Sequence, residues 1–347
     1  MCRRVLERCG AVFSYLSNSG SCYRSSASFQ QSSAITPPLF IVFNIGSGHG
    51  DAAAARAAID NACAEAGREV HVLVVDNPQR IGEVAQEAVT RARQTKGIVV
   101  AAGGDGTINA VAQATLGSGC AFGVLPQGTF NYFSRTHGIP GDTAQGMQVL
   151  LRETAQPVQV GLVNNRVFLI NASLGLYPQL LEDRETWKQQ LGRSRSVAFG
   201  AAIATLLRNF RRLRMEIEVH GATRKVRTLT LFVGNNALQM EQVGLPEAQA
   251  IDAGKLAGMM LRPVGRLTLL WLLLRGTLGK LGEAEQVEHF SFKRLTVKRP
   301  HGFGARRVKI ATDGEIVWLK LPLEFCVSPE PLLLVRPAAP APERMSA

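Results

Sequence analysis

The stretch Val99-Val-Ala-Ala-Gly-Gly-Asp-Gly-Thr-Ile-Asn109 decides the fold class. Its apolar start reads as the end of a buried strand. Three glycines and one acid follow, and then a run with helical character. A strand that turns through glycines into a helix is the unit of an open parallel sheet, whose ligands sit at the carboxyl ends of its strands.

Working outward, the neighbours repeat this alternation. Leu39–Phe43 is a continuous apolar run, as expected of a strand buried on both faces. Asn44-Ile-Gly-Ser-Gly-His-Gly50 reads as a turn, with Asp51 placed to cap an Ala-rich helix reaching about Ala66. Val70–Val75 and Gly97–Ala102 read as strands, Ile81–Thr95 and Thr107–Leu116 as helices, and Phe122–Leu125 as a fourth strand. Past Pro157 the strands crowd together: 158–163, 166–172, 214–220, 225–234, 255–262, 290–298, 307–312 and 315–321. Helical stretches are expected at about 196–212 and 267–281. The fold class is therefore α/β, an N-terminal parallel-sheet nucleotide-binding domain followed by a C-terminal, mostly antiparallel β-rich domain. The expected boundaries are a leader over 1–36, the first domain over 37–155, the second over 156–322 and a tail over 337–347. The stretch 323–336 is expected to pack back on the first domain.

The chemistry follows from residue types. Glycines let backbone N–H groups approach phosphate oxygens, and a helix start adds the positive end of its dipole. Thr107 and Asn109 offer side-chain donors. Asp105 is out of place beside phosphate unless a Mg²⁺ ion bridges the two, so Gly103, Gly104, Asp105 and Gly106 suggest a nucleotide phosphate with metal. Leu125-Pro-Gln-Gly-Thr-Phe-Asn131 supplies a second glycine turn, through Gly128 and Thr129, at the same sheet edge. The turn after Asn44 supplies a third. Thr312-Asp-Gly-Glu315 joins two strands, reading either as a plain hairpin turn or as the source of a general base.

Composition narrows the partners. The chain has 347 residues and a net charge of +12, which favours polyanions. Aromatics are only 6% and do not interleave with basic residues, which speaks against nucleic acid. The six cysteines form no C-x-x-C pair and no set with His at metal spacing, as expected of a reducing compartment. No apolar run is long enough to span a bilayer. Residues 1–36 are Ser-rich and nearly free of acid, and read as a disordered leader or an over-extended start.

At these residues the chain resembles the diacylglycerol kinase catalytic-domain family, which includes bacterial lipid kinases and the sphingosine and ceramide kinases. The likeness runs from about Phe40 to Pro337. Gly103-Gly-Asp-Gly-Thr107 with Asn109 is similar to the family's nucleotide loop. Leu125-Pro-x-Gly-Thr-x-Asn131, followed by Gly138-Ile-Pro140, is similar to its second turn, and Asn44-x-x-Ser-Gly48 to its opening motif. The resemblance implies ATP with Mg²⁺ in a cleft between two domains. It implies nucleotide contacts from Asn44, Gly103, Gly104, Asp105, Gly106, Thr107, Asn109, Gly128, Thr129 and Asn131. It also implies Asp313 or Glu315 as the catalytic acid pair, the base between them left open. The substrate implied is the hydroxyl of diacylglycerol or a similar lipid at a membrane surface. The protein implied is cytoplasmic and peripherally membrane-associated, with a homodimer left open. Two positions depart from the pattern. Tyr132 stands where the family has Asp. Ala253, in Ile251-Asp-Ala-Gly-Lys-Leu256, replaces a ligand of a second metal site and leaves Asp252 as the candidate there.

Two basic regions are candidates for bilayer contact: 267–281, with Trp271, Arg275 and Lys280 beside Arg266, and the cluster Arg208, Arg211, Arg212 and Arg214. Two rival functions remain. One is a kinase of a soluble dinucleotide, like NAD kinase. The other is a binding protein with a worn site, for which Tyr132 and Ala253 are the best support.

Overall fold

The computed structural model describes residues 36–47, 52–176, 178, 212–242, 244–299 and 307–338. The leader, Gly48, the Asp51 cap and the expected helix up to residue 211 lie outside them.

The first sheet begins with β1 (Leu39–Asn44), β2 (Val70–Val75), β3 (Ile98–Gly103) and β4 (Ala121–Pro126), all parallel. Every residue of β1 and β3 is buried, the signature of strands covered on both faces. The period of two sorts β1 cleanly. Phe40 and Val42 pack with the α2 (Ile81–Thr95) and α3 (Asp105–Thr115) side, whereas Leu39, Ile41 and Phe43 pack with α1 (Ala52–Glu65). Each such side chain contributes about 1.5–3 kcal/mol on burial. Helix α2 buries Ile81, Ala85, Ala88, Val89 and Ala92, a single stripe. It ends where Lys96 turns left-handed, at φ 54°.

Strand order in this sheet is β2-β1-β3-β4, then β18 (Leu332–Val335) and β5 (Ala155–Val158). The direction in which successive strands are added across the sheet reverses between β1 and β3. The turns leaving these two strands start helices on opposite faces and open a crevice between them. Two helices of this lobe went unread in the sequence. Tyr132–Thr136 forms α4, and Thr143–Arg152 forms α5, where Asp142 caps the Gln145 amide at 2.9 Å. Met147 and Leu150 on α5 close the α1 side of the core.

The remaining strands form two antiparallel sheets. One contains β6 (Gly161–Val163), β7 (Arg166–Phe168), β9 (Leu213–Val219), β10 (Ala222–Thr228), β14 (Arg294–Lys298) and β17 (Leu323–Val327). The other contains β8 (Asn171–Gly175), β11 (Thr230–Gly234), β12 (Leu256–Leu261), β13 (Val287–Phe292), β15 (Arg307–Thr312) and β16 (Glu315–Lys320). One core joins them, with Phe168, Ile217, Leu295 and Phe325 from the first meeting Leu174, Leu231, Phe292 and Ile310 from the second. Among the described residues the helices here are α6 (Ala237–Gln242), α7 (Ala248–Asp252) and α8 (Arg266–Thr277).

Four expected strands are broken. The runs 166–172, 225–234 and 290–298 each leave one sheet and enter the other, at Leu169-Ile170, Leu229 and Lys293. Apolar alternation continues through such a corner, so periodicity does not show it. The run 323–335 also divides: β17 stays in the sandwich and β18 crosses into the first sheet, lying between β4 and β5. Residues 155–158 likewise pair in the first sheet, as β5, rather than in the sandwich.

Candidate active site

The crevice between β1 and β3 holds the three turns. Asn44 ends β1, and its side chain faces inward. Its Nδ2 donates to Thr107 Oγ1 at 2.8 Å, while its Oδ1 accepts from the Gly46 amide at 3.0 Å. The turn after β3 crosses directly to the turn after β4, since the Gln127 amide donates to the Gly103 carbonyl at 2.8 Å. Gly104 and Gly128 then meet backbone to backbone. A Cβ on Gly128 would stand 3.2 Å from Gly104 Cα and 2.8 Å from Asn131 Oδ1. Glycine is needed there for close approach, not for a special dihedral.

Helix α3 starts at Asp105, with Gly104 as its N-cap and no side-chain cap. The amides of its first turn are thus left facing the crevice, the arrangement that receives anions. Burial pushes the Asp105 carboxyl up from its ordinary value, and a hydrogen bond from the Asn131 backbone pulls it partly back. Three buried atoms of this cluster have no hydrogen-bond partner: Asp105 Oδ1, Asn131 Oδ1 and Gln127 Nε2. Buried groups left unpaired are costly, by about 1–3 kcal/mol each, so these atoms are placed to be met by water or by a ligand. The two oxygens suit a hard divalent cation, and the amide suits an anion. A cavity of about 390 Å³ adjoins them, lined by Ser47, Ala55, Gln127, Gly128, Asn131 and Thr143. That volume falls in the range of small-molecule sites. A larger one, about 620 Å³, lies at the opposite, amino ends of the strands beside Arg68, Lys96 and Gly97, and gathers none of the expected site residues.

The second lobe reaches this crevice through the β15–β16 hairpin. Asp313 and Gly314 both take positive φ, 47° and 85°. The Asp313 carboxylate accepts four hydrogen bonds. Oδ2 takes Asn109 Nδ2 at 2.6 Å and the Leu169 amide at 2.7 Å; Oδ1 takes the Ile170 and Asn171 amides, both at 2.9 Å. Those amides belong to the corner between β7 and β8. Its carbonyls are met as well: Leu169 O accepts from Asn235 Nδ2 at 3.1 Å and Ile170 O from the Asn235 amide at 2.8 Å. Asp313 and Asn235 thus satisfy all the backbone polar groups that the break in the strand leaves open. Burial raises the Asp313 carboxyl to about 6, against the lowering effect of its four donors.

Glu315 differs from it. Its side chain is 54% exposed, and Oε2 pairs with Arg166 at 3.1 Å. Its Oε1 leans on the glycine loop, only 2.9 Å from where a Gly106 Cβ would stand. A carboxylate oxygen of the second lobe is therefore delivered to the start of α3. Arg166 is itself steadied by Thr312 Oγ1 at 3.1 Å.

Several expected contacts are redirected. Asn109 Nδ2, read as a donor toward phosphate, donates instead to Asp313 and to the Val167 carbonyl (3.1 Å), while Thr107 Oγ1 accepts from Asn44 and keeps its own O–H to donate. Asn131 sits at the N-cap of α4 with φ 46°, and its Nδ2 bonds the Gly128 carbonyl at 2.8 Å. Thr129 follows Gly128 on the same turn. Asp252 ends α7 on the surface, and among the described residues no group of three or more His, Cys, Asp or Glu could hold a metal ion. Tyr132 stacks on the half-exposed Phe130 ring at 6.0 Å, with the Arg135 guanidinium 5.9 Å from its centroid. Where the resemblance implies a carboxylate, the rim is thus aromatic and cationic. Arg166, Gln127 and Asn235 were not singled out in the sequence. The only local hint is the Asn235-Asn236 pair closing the apolar run of β11.

Comparison with known proteins adds to this geometry. Residues 38–163 match the model of the diacylglycerol kinase catalytic domain, and residues 184–336 that of the YegS C-terminal NAD kinase beta sandwich-like domain. The chain is 40% identical over 113 residues to a Pseudomonas aeruginosa (strain UCBPP-PA14) protein named probable lipid kinase YegS-like. That alignment spans 32% of this chain and 36% of the relative's length. It is 28% identical over 258 residues, 71% of this chain and 76% of the other, to the diacylglycerol kinase of Staphylococcus aureus (strain JH9). A crystal structure of a diacylglycerol kinase from Bacillus anthracis str. Sterne superposes with TM-score 0.62 at 19% identity, over 86% of this chain and 97% of that one. At such identity the superposition speaks for the fold. Residues 38–163 therefore carry the likeness to a diacylglycerol kinase catalytic domain, and residues 184–336 the likeness to a YegS C-terminal domain, in that order along the chain.

Proposed function

We propose that this chain is a lipid kinase that transfers the γ-phosphoryl group of ATP, with Mg²⁺, to the hydroxyl of diacylglycerol or a similar lipid. The observation that carries the reading is the placement of Glu315. A carboxylate from the β-sandwich lobe stands at the helix start where backbone amides of the glycine loops receive phosphate.

In this reading the α3 amides and the Gly104–Gly128 contact hold the phosphate chain. Asp105 Oδ1 and Asn131 Oδ1 would hold the cation. When bound, the cation supplies charge neutralisation to the nucleotide. The lipid oxygen bonds to the γ-phosphorus as the bond from phosphorus to the β–γ bridging oxygen breaks. ADP leaves, and the hydroxyl proton passes to Glu315. Asp313 is the less suited base, since its four acceptor sites are taken by four donors. It is instead a positioning residue that fixes the hairpin bearing Glu315. Arg166 orients the Glu315 carboxylate.

The test is incubation of the purified chain with γ-labelled ATP and a panel of lipid alcohols, followed by chloroform extraction and mass spectrometry. Label in the chloroform phase on a lipid monophosphate is expected. A second reading, a soluble-dinucleotide kinase, is favoured by the NAD kinase-like description of the matched C-terminal domain. It requires the label to stay aqueous on a phosphorylated dinucleotide, and that result would overturn the lipid reading.

A further inference from the structure

Helix α8 is apolar on two sides. Leu269 and Leu272, each 3% exposed, face inward and join Leu176, Leu229 and Leu261 in a satellite core. That side is sufficient to dock the helix on the sandwich. Yet Leu267, Trp271, Leu274 and Leu278 are 82%, 45%, 58% and 64% exposed. They recur at intervals of four, three and four residues, so they form one stripe along the outer side. Folding does not need a second apolar side, and a contiguous exposed patch of this kind marks an interaction site.

The stripe is bordered by cations. Arg266 opens the helix, and the Arg275 guanidinium lies 4.8 Å from the Trp271 ring centroid. Arg275 is further held by Glu283 at 2.8 Å and by the Lys280 carbonyl at 3.0 Å. Lys280 itself is exposed. The helix contains no acidic residue. This border disfavours a second copy of the same cationic stripe and favours an anionic surface.

The stripe is also linked to the candidate site. The Asn171 amide donates to Asp313, and Asn171 Nδ2 donates to Gln239 of α6 at 3.0 Å. Just past α6, Gly244 packs against the turn after α8 so closely that a Cβ on it would lie 2.0 Å from the Gly279 carbonyl oxygen. Helix α8 is therefore tied to the hairpin of Glu315 through a short chain of packed elements.

We propose that the outer side of α8 is the docking surface of this enzyme for an anionic phospholipid bilayer. The leucines and Trp271 enter the boundary between headgroups and acyl chains, and Arg266, Arg275 and Lys280 sit among the phosphates. The proposal rests on the lipid-kinase reading for its purpose but is tested apart from it. Flotation of the full chain is measured with phosphatidylcholine vesicles and with mixed phosphatidylcholine–phosphatidylglycerol vesicles. The comparison is with the Leu267→Gln/Trp271→Ala/Leu274→Gln variant and with Lys280→Glu. Wild type is expected to float with the mixed vesicles and far less with the neutral ones. The triple variant should weaken binding by at least about tenfold, with Lys280→Glu intermediate. These positions are on the surface, and an unchanged thermal melt verifies the fold of each variant. Turnover on detergent-dispersed short-chain diacylglycerol should be equal in all of them. Equal flotation of wild type and triple variant overturns the proposal, as does vesicle-independent self-association of wild type that the variant abolishes. Failure to phosphorylate the dispersed acceptor overturns the kinase reading instead, while flotation still decides the docking surface.

Discussion

Replacing Asn109 by Ala cuts the connection between α3 and the Glu315 hairpin. Asn109 is 6% exposed, and its Nδ2 donates both to Asp313 Oδ2 at 2.6 Å and to the Val167 carbonyl at 3.1 Å. The bond to the carboxylate is charge-assisted and contributes about 1.5–3 kcal/mol; the neutral bond adds about 0.5–1.5 kcal/mol. The variant should therefore lose about 2–4 kcal/mol in urea unfolding. The loss should depend on pH. Asp313 has a folded pKa raised to about 6, so its contribution to stability is full below the unfolded value of 3.8 and fades as pH rises through 6. Asn109 is one of the groups holding that pKa down. Without it the folded pKa moves higher still, and ionisation costs more. The gap between wild type and variant must then widen from pH 5 to pH 8. A gap that stays below about 0.5 kcal/mol at pH 8, or one that narrows with pH, refutes the assignment of Asp313 as an ionised inter-lobe latch.

Three further outcomes are expected. Glu315→Gln should lower kcat by about 10²–10⁴-fold, with the urea midpoint nearly unchanged, because its ion pair is exposed and worth little; normal turnover removes Glu315 from the mechanism. Gly128→Ala places a methyl 3.2 Å from Gly104 Cα, which is backbone and cannot yield easily, so calorimetry should show Mg·ATP binding weakened by about tenfold or more. His137 is half-buried beside Arg336, and loss of solvent first, then that charge, lowers its pKa to about 4. A depressed histidine contributes stability above its unfolded value of 6.5 that is lost as pH falls toward 4. His137→Gln should thus abolish an acid-side loss of about 3 kcal/mol, read from urea midpoints at pH 7 and pH 4.

The first sheet was legible because β1 and β3 are buried on both faces, and an unbroken apolar run followed by glycine has few other readings. Helix α5 was missed although Asp142 caps it, because Gly138 to Gly141 draws the eye to a loop. The sandwich was legible as antiparallel strands but not as two sheets. Leu229 and Lys293 carry no mark of a corner, since a residue that changes sheets keeps the alternation of its neighbours. At the site the sequence brought the glycine turns and the Asp313–Glu315 hairpin together by resemblance. It could not divide their roles. Which carboxylate is free depends on where the amides of residues 169–171 point, and they are 142 to 144 positions away along the chain from Asp313. Asn109 looks like a ligand donor in the sequence for the same reason: its partners come from remote segments.

Strand β18 lies between β4 and β5, and among the described residues β5 pairs with no other strand. During synthesis the first lobe is therefore unfinished until residue 335 has cleared the ribosome, long after its own helices have emerged. The nascent chain must carry an open β4 edge through the whole making of the sandwich, a hazard for edge-to-edge aggregation. Cutting the gene between the lobes would leave β18 on the sandwich fragment and the β4 edge of the first lobe unpaired.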